Sequence, residues 1–195
     1  MLDPALTLYI FISAYAVGLL SPYLTSEQGQ VVATTSPHRP VAPLHDVGKV
    51  GIPDHILLKP GRLDPAEWEI MKTHTLIGEE VLKAAAPKPL SEGASPRTLA
   101  LAIEIAGGHH ERWDGQGYPR GLSGESIPKS ARLMTVADIY DALTSARPYK
   151  KTWSHAKAVD EITHLSGTKL DPMVVAAFLE EQDRFREIAR RFKDA

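Results

Sequence analysis

The sequence predicts an all-α domain, and two observations carry this prediction. Alternating apolar and polar residues, the pattern typical of β-strands, are nearly absent after residue 44. A capping side chain stands directly before a proline, the preferred start of a helix, at three places: Asp64-Pro65, Ser95-Pro96 and Asp171-Pro172. Helices of this kind bury one apolar face each around a common core.

The first predicted helix begins at Asp64, which is followed three residues later by Glu67 in the manner of a capping box. Within it, apolar residues recur at helical spacing: Trp68, Met71, Ile77 and Val81. We expect this helix to continue through His74, and the next one to run from Ser95 to the pair His109-His110.

Three more helices follow along the chain. The stretch IPKSARLMTVADIYDALTSA, residues 127–146, repeats the apolar spacing of a helix. Ser154 and Gly167 bracket another helix, and residues 171–192 favour a long last one. The Gly-Ile-Pro and Gly-Tyr-Pro stretches are predicted to be loops.

Composition limits the classes of function. The 195 residues include 22 basic and 24 acidic ones, a net charge of −2, so binding to nucleic-acid polymers is not expected. Cysteine is absent, which excludes disulfides and thiolate metal sites and fits a reducing compartment, so we expect a cytoplasmic location. A transition-metal site must then use imidazole and carboxylate ligands, which suit iron, manganese or zinc.

Residues 1–41 are predicted to form an atypical N-terminal segment that precedes the main domain, residues 42–195. The stretch LTLYIFISAYAVGLL is strongly apolar but short for a membrane span, which needs about 20 apolar residues. A buried or partner-covered helix is the preferred interpretation, and membrane association through residues 5–20 stays open. A polar loop with three prolines follows it.

Four segments of the main domain carry histidine or aspartate where an apolar helix is interrupted or ends: His45-Asp46, His74, His109-His110 and Asp138. A His-Asp pair can give an imidazole to one metal and a bridging carboxylate to a second, but this dipeptide also arises by chance. A lone helical histidine is more often packed or on the surface than a ligand. Asp138 and Asp141 lie three residues apart on one face of an apolar helix, where a carboxylate needs a metal or a basic partner.

Together these segments resemble the HD-GYP domain, the branch of the HD metal-dependent phosphohydrolases that hydrolyses cyclic di-GMP. The stretches that carry the resemblance lie between about residues 42 and 192: LHDVGKVGIPD, ILLKPGRL, MKTHTLIGEE, GHHERWDGQGYP, IPKSARLMTVADIYDALTSARPYKK and GTKLDP. The chain also resembles the response-regulator type of this family, although its sequence contains no receiver domain. The resemblance implies an all-α HD-superfamily bundle around a multi-metal site.

The resemblance further implies a di-iron or di-manganese centre and two-metal hydrolysis of cyclic di-GMP to pGpG, GMP or both. Its implied ligands are His45, Asp46, His74, His109, His110 and Asp138, with Asp46 as the bridge. Asp46 and Lys49 are the implied catalytic residues. Lys49, Arg147 and Lys150 are the implied phosphate-binding residues. For Arg147 and Lys150, a solvated surface charge is nearly as good an interpretation. Gly117, Tyr118 and Pro119 are implied in docking GGDEF-domain proteins.

One feature departs from the family pattern. The family opens with a helix that carries a further histidine ligand, whereas the nearest histidine before His45 is His38, in a proline-rich stretch. We therefore expect fewer than two tightly held metal ions per chain. Two alternatives to the cyclic di-GMP phosphodiesterase stay open: a catalytically impaired module that binds cyclic di-GMP or a GGDEF partner, and an enzyme for another cyclic dinucleotide. Trp113 either stacks on a guanine or packs in the core.

Overall fold

The protein is all-α, as predicted. The computed structural model describes residues 20, 42–85, 96–145 and 152–193. Within these ranges there is no β-strand, only an isolated bridge between Ser166 and Leu170. Two 3₁₀ segments, Ala42–Gly51 and Gly124–Ser126, accompany seven α-helices in the described ranges: α1 Asp54–Leu57, α2 Pro65–Lys72, α3 His74–Ala84, α4 Pro96–Gly108, α5 Lys129–Thr144, α6 His155–His164 and α7 Pro172–Lys193.

The capping signals act where the sequence predicts them. The Asp64 carboxylate accepts a hydrogen bond from the Glu67 amide at 2.9 Å, and the Glu67 carboxylate accepts one from the Asp64 amide at 2.8 Å, which completes the capping box of α2. Ser154 caps α6, and Asp171 accepts from the Met173 amide at 2.8 Å in the first turn of α7. These starts are confirmed because each depends on residues within three positions of one another.

The single helix predicted from Asp64 through His74 is wrong: the chain forms two helices that meet at Thr73. The Thr73 amide and hydroxyl both donate to the Ile70 carbonyl, at 3.0 and 2.6 Å, which tightens the turn to an i to i+3 pattern. α3 therefore begins at His74 as a separate helix. The ring of His74, the first residue of α3, contacts the Met71 carbonyl in the last turn of α2.

The core is built around α5. Thirteen of its sixteen residues are buried, because α4, α6 and α7 all pack against it. Tyr140 of α5 lies 5.7 Å from the ring of Phe178 and 5.3 Å from that of Phe185, both on α7. Leu20 also belongs to this core. A helix covered on nearly all sides shows little amphipathic pattern, which fits its mixture of apolar and small polar residues.

The apolar spacing of α2 correctly predicted a helix, but none of its residues is buried in the core. Trp68 is 45% exposed, and Val81 of α3 is 41% exposed. α2 packs against α1 and the start of α3 at the edge of the bundle, so its apolar face does not reach the core. None of the helices described is long and apolar enough to cross a membrane. The predicted segment 5–20 lies outside the described residues except for Leu20.

Candidate metal centre

The 3₁₀ segment Ala42–Gly51 brings His45 and Asp46 against α3 through a contact that only glycine allows. A Cβ atom on Gly48 would lie 1.9 Å from the His74 carbonyl oxygen and 2.4 Å from the Gly78 nitrogen. Because both neighbours are backbone atoms, no side-chain rotation could make room for it. Gly48 thus sets the distance between the His-Asp pair and the first turn of α3.

Asp46 is the hub of the candidate centre. Its Oδ2 lies 3.2 Å from Nε2 of His45, and its Oδ1 lies 3.4 Å from Nε2 of His74 and 3.8 Å from Nε2 of His109. His110 joins this set, since one ligand atom each from Asp46, His74, His109 and His110 all lie within 4.8 Å of one another.

Asp138 completes the group from α5, with its Oδ1 3.9 Å from Nε2 of His45. The structure therefore brings all six predicted ligand side chains together from the 3₁₀ segment, the start of α3, the end of α4 and the middle of α5. Asp141, the other aspartate of α5, is fully buried and accepts a hydrogen bond from the Ser145 hydroxyl instead.

Three of the histidines are held in the orientation that a metal ligand requires. Nδ1 of His45 lies 2.7 Å from the Ala42 carbonyl, Nδ1 of His74 lies 2.7 Å from the Met71 carbonyl, and Nδ1 of His109 lies 2.9 Å from the Ile105 carbonyl. A carbonyl oxygen only accepts, so each Nδ1 carries the hydrogen. In the neutral imidazole the Nε2 lone pair then points toward Asp46, as in metal sites whose ligands are fixed by backbone carbonyls.

Several atoms at the centre are buried without a hydrogen bond among the described residues: Nε2 of His74, Nε2 of His109 and Oδ1 of Asp46. A buried polar atom left without a partner is costly and therefore rare. Two imidazole nitrogens and a carboxylate oxygen that point into one small space are suitable ligands for a divalent cation. These residues fit a metal ion.

The electrostatics favour ligand-competent forms of Asp46, His74, His109 and His110. At His45 burial lowers the pKa, but the neighbouring Asp46 outweighs burial and raises the pKa above its ordinary value. Burial lowers the pKa of His109 to about 4 and also holds the pKa values of His74 and His110 below the ordinary value, so these three imidazoles are neutral at pH 7. Burial alone would raise the pKa of Asp46, but the neighbouring His45 and Lys49 lower it well below its usual range. Asp46 is accordingly an anion, the form that binds cations.

Lys49 lies at the mouth of the centre. Its Nζ is 2.5 Å from Oδ2 of Asp46, and its side chain is 39% exposed, more than that of Asp46 at 17%. An ammonium group in this position is reachable from solvent and from the carboxylate at the same time. Arg147 and Lys150 lie outside the described residues.

The Gly-Tyr-Pro loop lines the centre. The Tyr118 ring stacks on His110 at 4.8 Å with an angle of 27° between the planes. Gly115 has a φ of +78°, a conformation that favours glycine, whereas a Cβ on Gly117 would lie 2.4 Å from the Arg112 nitrogen. Gly117, Tyr118 and Pro119 are each half-buried, so only part of this motif is accessible to a partner.

Sequence reasoning missed the residues that hold this loop. Glu111 is buried, and its carboxylate accepts hydrogen bonds from the amides of Arg120 at 2.8 Å and Leu122 at 3.0 Å. The Arg120 guanidinium contacts the Glu79 carboxylate of α3 and donates to the Gly107 carbonyl at 3.2 Å. The only available signal was a charged residue, Glu111, directly after the paired histidines.

Trp113 is not an open stacking surface. Its amide donates to the Lys169 carbonyl at 3.2 Å, its carbonyl accepts from the Gly124 amide at 2.9 Å, and the Arg132 guanidinium lies 5.7 Å from its ring. The ring is half-buried in this setting. The packing interpretation of Trp113 is the one that its contacts support.

The comparisons with known proteins agree with this geometry. The HD domain model matches residues 38–174. The chain is 50% identical over 177 residues to a probable cyclic di-GMP phosphodiesterase of Vibrio cholerae serotype O1. This alignment covers 85% of this chain and 40% of that protein. It is 48% identical over 178 residues to a cyclic di-GMP phosphodiesterase of Thermotoga maritima. This alignment covers 91% of this chain and 46% of that protein.

The chain thus spans less than half the length of these two curated relatives. Among solved structures, a cyclic GMP-AMP specific phosphodiesterase of V. cholerae aligns with a TM-score of 0.55 at 17% identity, over 97% of this chain and 51% of that one, which supports the fold. With the family model, the two relatives and the motifs in agreement, the chain belongs to the HD domain family, in the HD-GYP branch whose His-Asp and Gly-Tyr-Pro motifs it carries.

Proposed function

We propose that this chain is a metal-dependent phosphodiesterase that hydrolyses cyclic di-GMP to pGpG, GMP or both. The observation that carries the proposal is a set of three buried ligand atoms around Asp46, two from histidines and one from its own carboxylate, that find no hydrogen-bond partner in the described part of the chain. The relatives named cyclic di-GMP phosphodiesterases support the substrate, since they match most of this chain at about half identity.

The proposed ligands are His45, Asp46, His74, His109, His110 and Asp138, and the proposed metal is iron or manganese, up to two ions. When bound, divalent ions lower the pKa of water and neutralise charge that develops on phosphate oxygens. Asp46 is suited to bridge two ions, because its oxygens face different partners: Oδ1 faces His74 and His109, and Oδ2 faces His45.

The chain's own groups hold and orient the substrate. Lys49 offers an ammonium group beside Asp46 at the accessible side of the centre, where it can bind a phosphate oxygen by a charge-assisted hydrogen bond. The Tyr118 ring stacks on one face of the His110 imidazole and so helps to fix that ring. Arg147 and Lys150 are proposed to bind the more distant phosphate. Docking of GGDEF-domain proteins on Gly117, Tyr118 and Pro119 stays a prediction.

The deciding experiment is a hydrolysis assay of the wild-type chain purified anaerobically and supplied with Mn²⁺. Cyclic di-GMP, cyclic GMP-AMP and cyclic di-AMP are compared as substrates, and products are separated by chromatography. We expect cyclic di-GMP to give pGpG or GMP, and Asp46→Ala to give neither. A folded wild-type sample without turnover, but with retained cyclic di-GMP binding, would favour the binding module. Faster turnover of another dinucleotide would correct the substrate.

A further inference from the structure

Trp68 forms the outer end of a row of aromatic rings that starts at the candidate metal centre. The His110 ring stacks on Tyr118 at 4.8 Å. The Tyr118 ring in turn lies 6.1 Å from the ring of Trp68, nearly perpendicular to it at 81°. Trp68 remains 45% exposed at the edge of the bundle. An apolar surface thus continues from a proposed ligand to solvent.

The helix that carries Trp68 is fixed in place by polar contacts rather than by burial. The capping box of Asp64 and Glu67 fixes the first turn of α2. Nζ of Lys59, from the loop between α1 and α2, lies 2.5 Å from Oε2 of the same Glu67. Trp68 follows Glu67 directly, so its indole is presented on an anchored turn. Because the backbone of this turn is already fixed, little backbone entropy is lost when a ligand stacks on the indole.

The other two tryptophans are in different settings. Trp113 packs beside Arg132, and the Lys157 ammonium lies 3.9 Å from the centre of the Trp153 ring. Trp68, by contrast, contacts the loop residue that covers His110. Lys72, one turn further along α2, lies 5.9 Å from the Tyr118 ring, and its charge is balanced by Glu69 at 2.8 Å.

We propose that Trp68 stacks on a purine base of the cyclic dinucleotide while the scissile phosphate lies at Asp46 and Lys49. This inference rests on the proposed function and adds a substrate-binding residue to it. A base is one ribose away from its phosphate, so a stacking surface must lie near the metal centre but not within it, as Trp68 does. Every base has a π face, so the contact adds affinity without distinguishing guanine from adenine.

The test compares Trp68→Ala and Trp68→Phe with the control Ile70→Ala, which removes an exposed apolar side chain from the same helix two residues further on. Loss of one stacked base should raise KM for cyclic di-GMP by roughly 5- to 150-fold in Trp68→Ala. Because the base is remote from the reacting phosphorus, kcat should change by less than about threefold. Trp68→Phe should recover most of the affinity, and Ile70→Ala should match the wild type.

Two further measurements separate stacking from an indirect effect through Tyr118. Metal content of Trp68→Ala should equal that of the wild type, and its hydrolysis of methyl p-nitrophenyl phosphate, a diester without a purine, should be unchanged. An equal loss with both substrates, or a loss of metal, would overturn the inference in favour of a structural role. An unchanged KM for cyclic di-GMP would overturn it as well.

The inference and the proposed function fail in distinguishable ways. Titration with pGpG should quench tryptophan fluorescence in the wild type and much less in Trp68→Phe, whether or not turnover occurs. If the wild type hydrolyses cyclic di-GMP and the substitutions at Trp68 leave this hydrolysis unchanged, only the stacking is refuted. A wild-type chain that neither hydrolyses cyclic di-GMP nor binds pGpG refutes both.

Discussion

Nε2 of His74 lies 3.4 Å from Oδ1 of Asp46, and neither atom makes a hydrogen bond among the residues described. The pair is held there from both sides. Nδ1 of His74 donates to the Met71 carbonyl, and the close contact of Gly48 with α3 fixes the Asp46 backbone. Two polar atoms kept together without a mutual hydrogen bond are arranged for a third group between them. A cation that coordinates both would relieve the cost of their burial.

Asp46→Ala should abolish both metal binding and cyclic di-GMP hydrolysis. The reason is that the Asp46 carboxylate lies within 3.8 Å of Nε2 of His45, His74 and His109. A ligand that binds only the folded state raises stability by mass action, so Mn²⁺ should raise the Tm of the wild type. This rise should vanish in Asp46→Ala, and elemental analysis should show the corresponding loss of metal. Asp54→Ala, an exposed aspartate in α1, serves as the control. A variant at Asp46 that keeps its Mn²⁺-dependent Tm shift would remove this residue from the ligand set.

Lys49→Ala should retain the metal and slow turnover. The Lys49 ammonium lies 2.5 Å from Oδ2 of Asp46, so it competes with a cation for that oxygen, and its removal should leave metal affinity equal or higher. Loss of a charge-assisted phosphate contact in the transition state costs about 100-fold or more in kcat. Steady-state kinetics alongside metal analysis checks both halves, with the exposed Lys129→Ala as control. Full turnover without Lys49 would place the phosphate contact elsewhere.

The sequence predicted best what depends on near neighbours. The capping box at Asp64 and the starts of α6 and α7 involve residues within three positions, so their signals are complete in the local sequence. The six residues of the centre were found because a family motif supplied what single histidines do not indicate. The break at Thr73 was missed because the apolar spacing continues from α2 into α3. The two hydrogen bonds from Thr73 to the Ile70 carbonyl, which mark the break, leave no signal in that spacing.

Contacts between distant residues were beyond the sequence patterns. Arg120 reaches Glu79 across 41 positions, and no local signal pairs them. Its helical spacing predicts that Trp68 lies in the core. It is exposed instead, because α2 packs at the edge of the bundle. Helical periodicity identifies the face of a helix, but tertiary packing decides whether that face is covered.

Glu111→Ala should loosen the loop that carries Tyr118. The substitution leaves the amides of Arg120 and Leu122 without their acceptor, and loss of two such hydrogen bonds in a partly buried site costs about 2–3 kcal/mol. Urea unfolding of the metal-free protein measures this decrease in the free energy of unfolding. Glu125→Ala, an exposed glutamate in the same loop, should change it by less than about 0.5 kcal/mol. Equal stability of the two variants would show that Glu111 does not anchor the loop.

Gly48→Ala should destabilise the protein and disperse the centre together. The added Cβ would lie 1.9 Å from the His74 carbonyl oxygen, so the 3₁₀ segment and α3 must move apart, which separates Asp46 from His74. Relief of a backbone clash is costlier than ordinary overpacking, and we expect a loss of about 3 kcal/mol or more.

Gly51→Ala is the matched control for this substitution, because the nearest atoms to its Cβ would belong to the Ile77 side chain, at 3.0 Å, rather than to the backbone. It should change stability by less than about 1 kcal/mol. Unfolding of both variants is measured first without metal, so that a structural loss is not confused with a loss of ligand stabilisation. Metal content is measured next, and only Gly48→Ala should fall. A Gly48→Ala protein with wild-type stability and metal content would mean that the chain accommodates the methyl group, and that the spacing between the His-Asp pair and α3 is not set by this glycine.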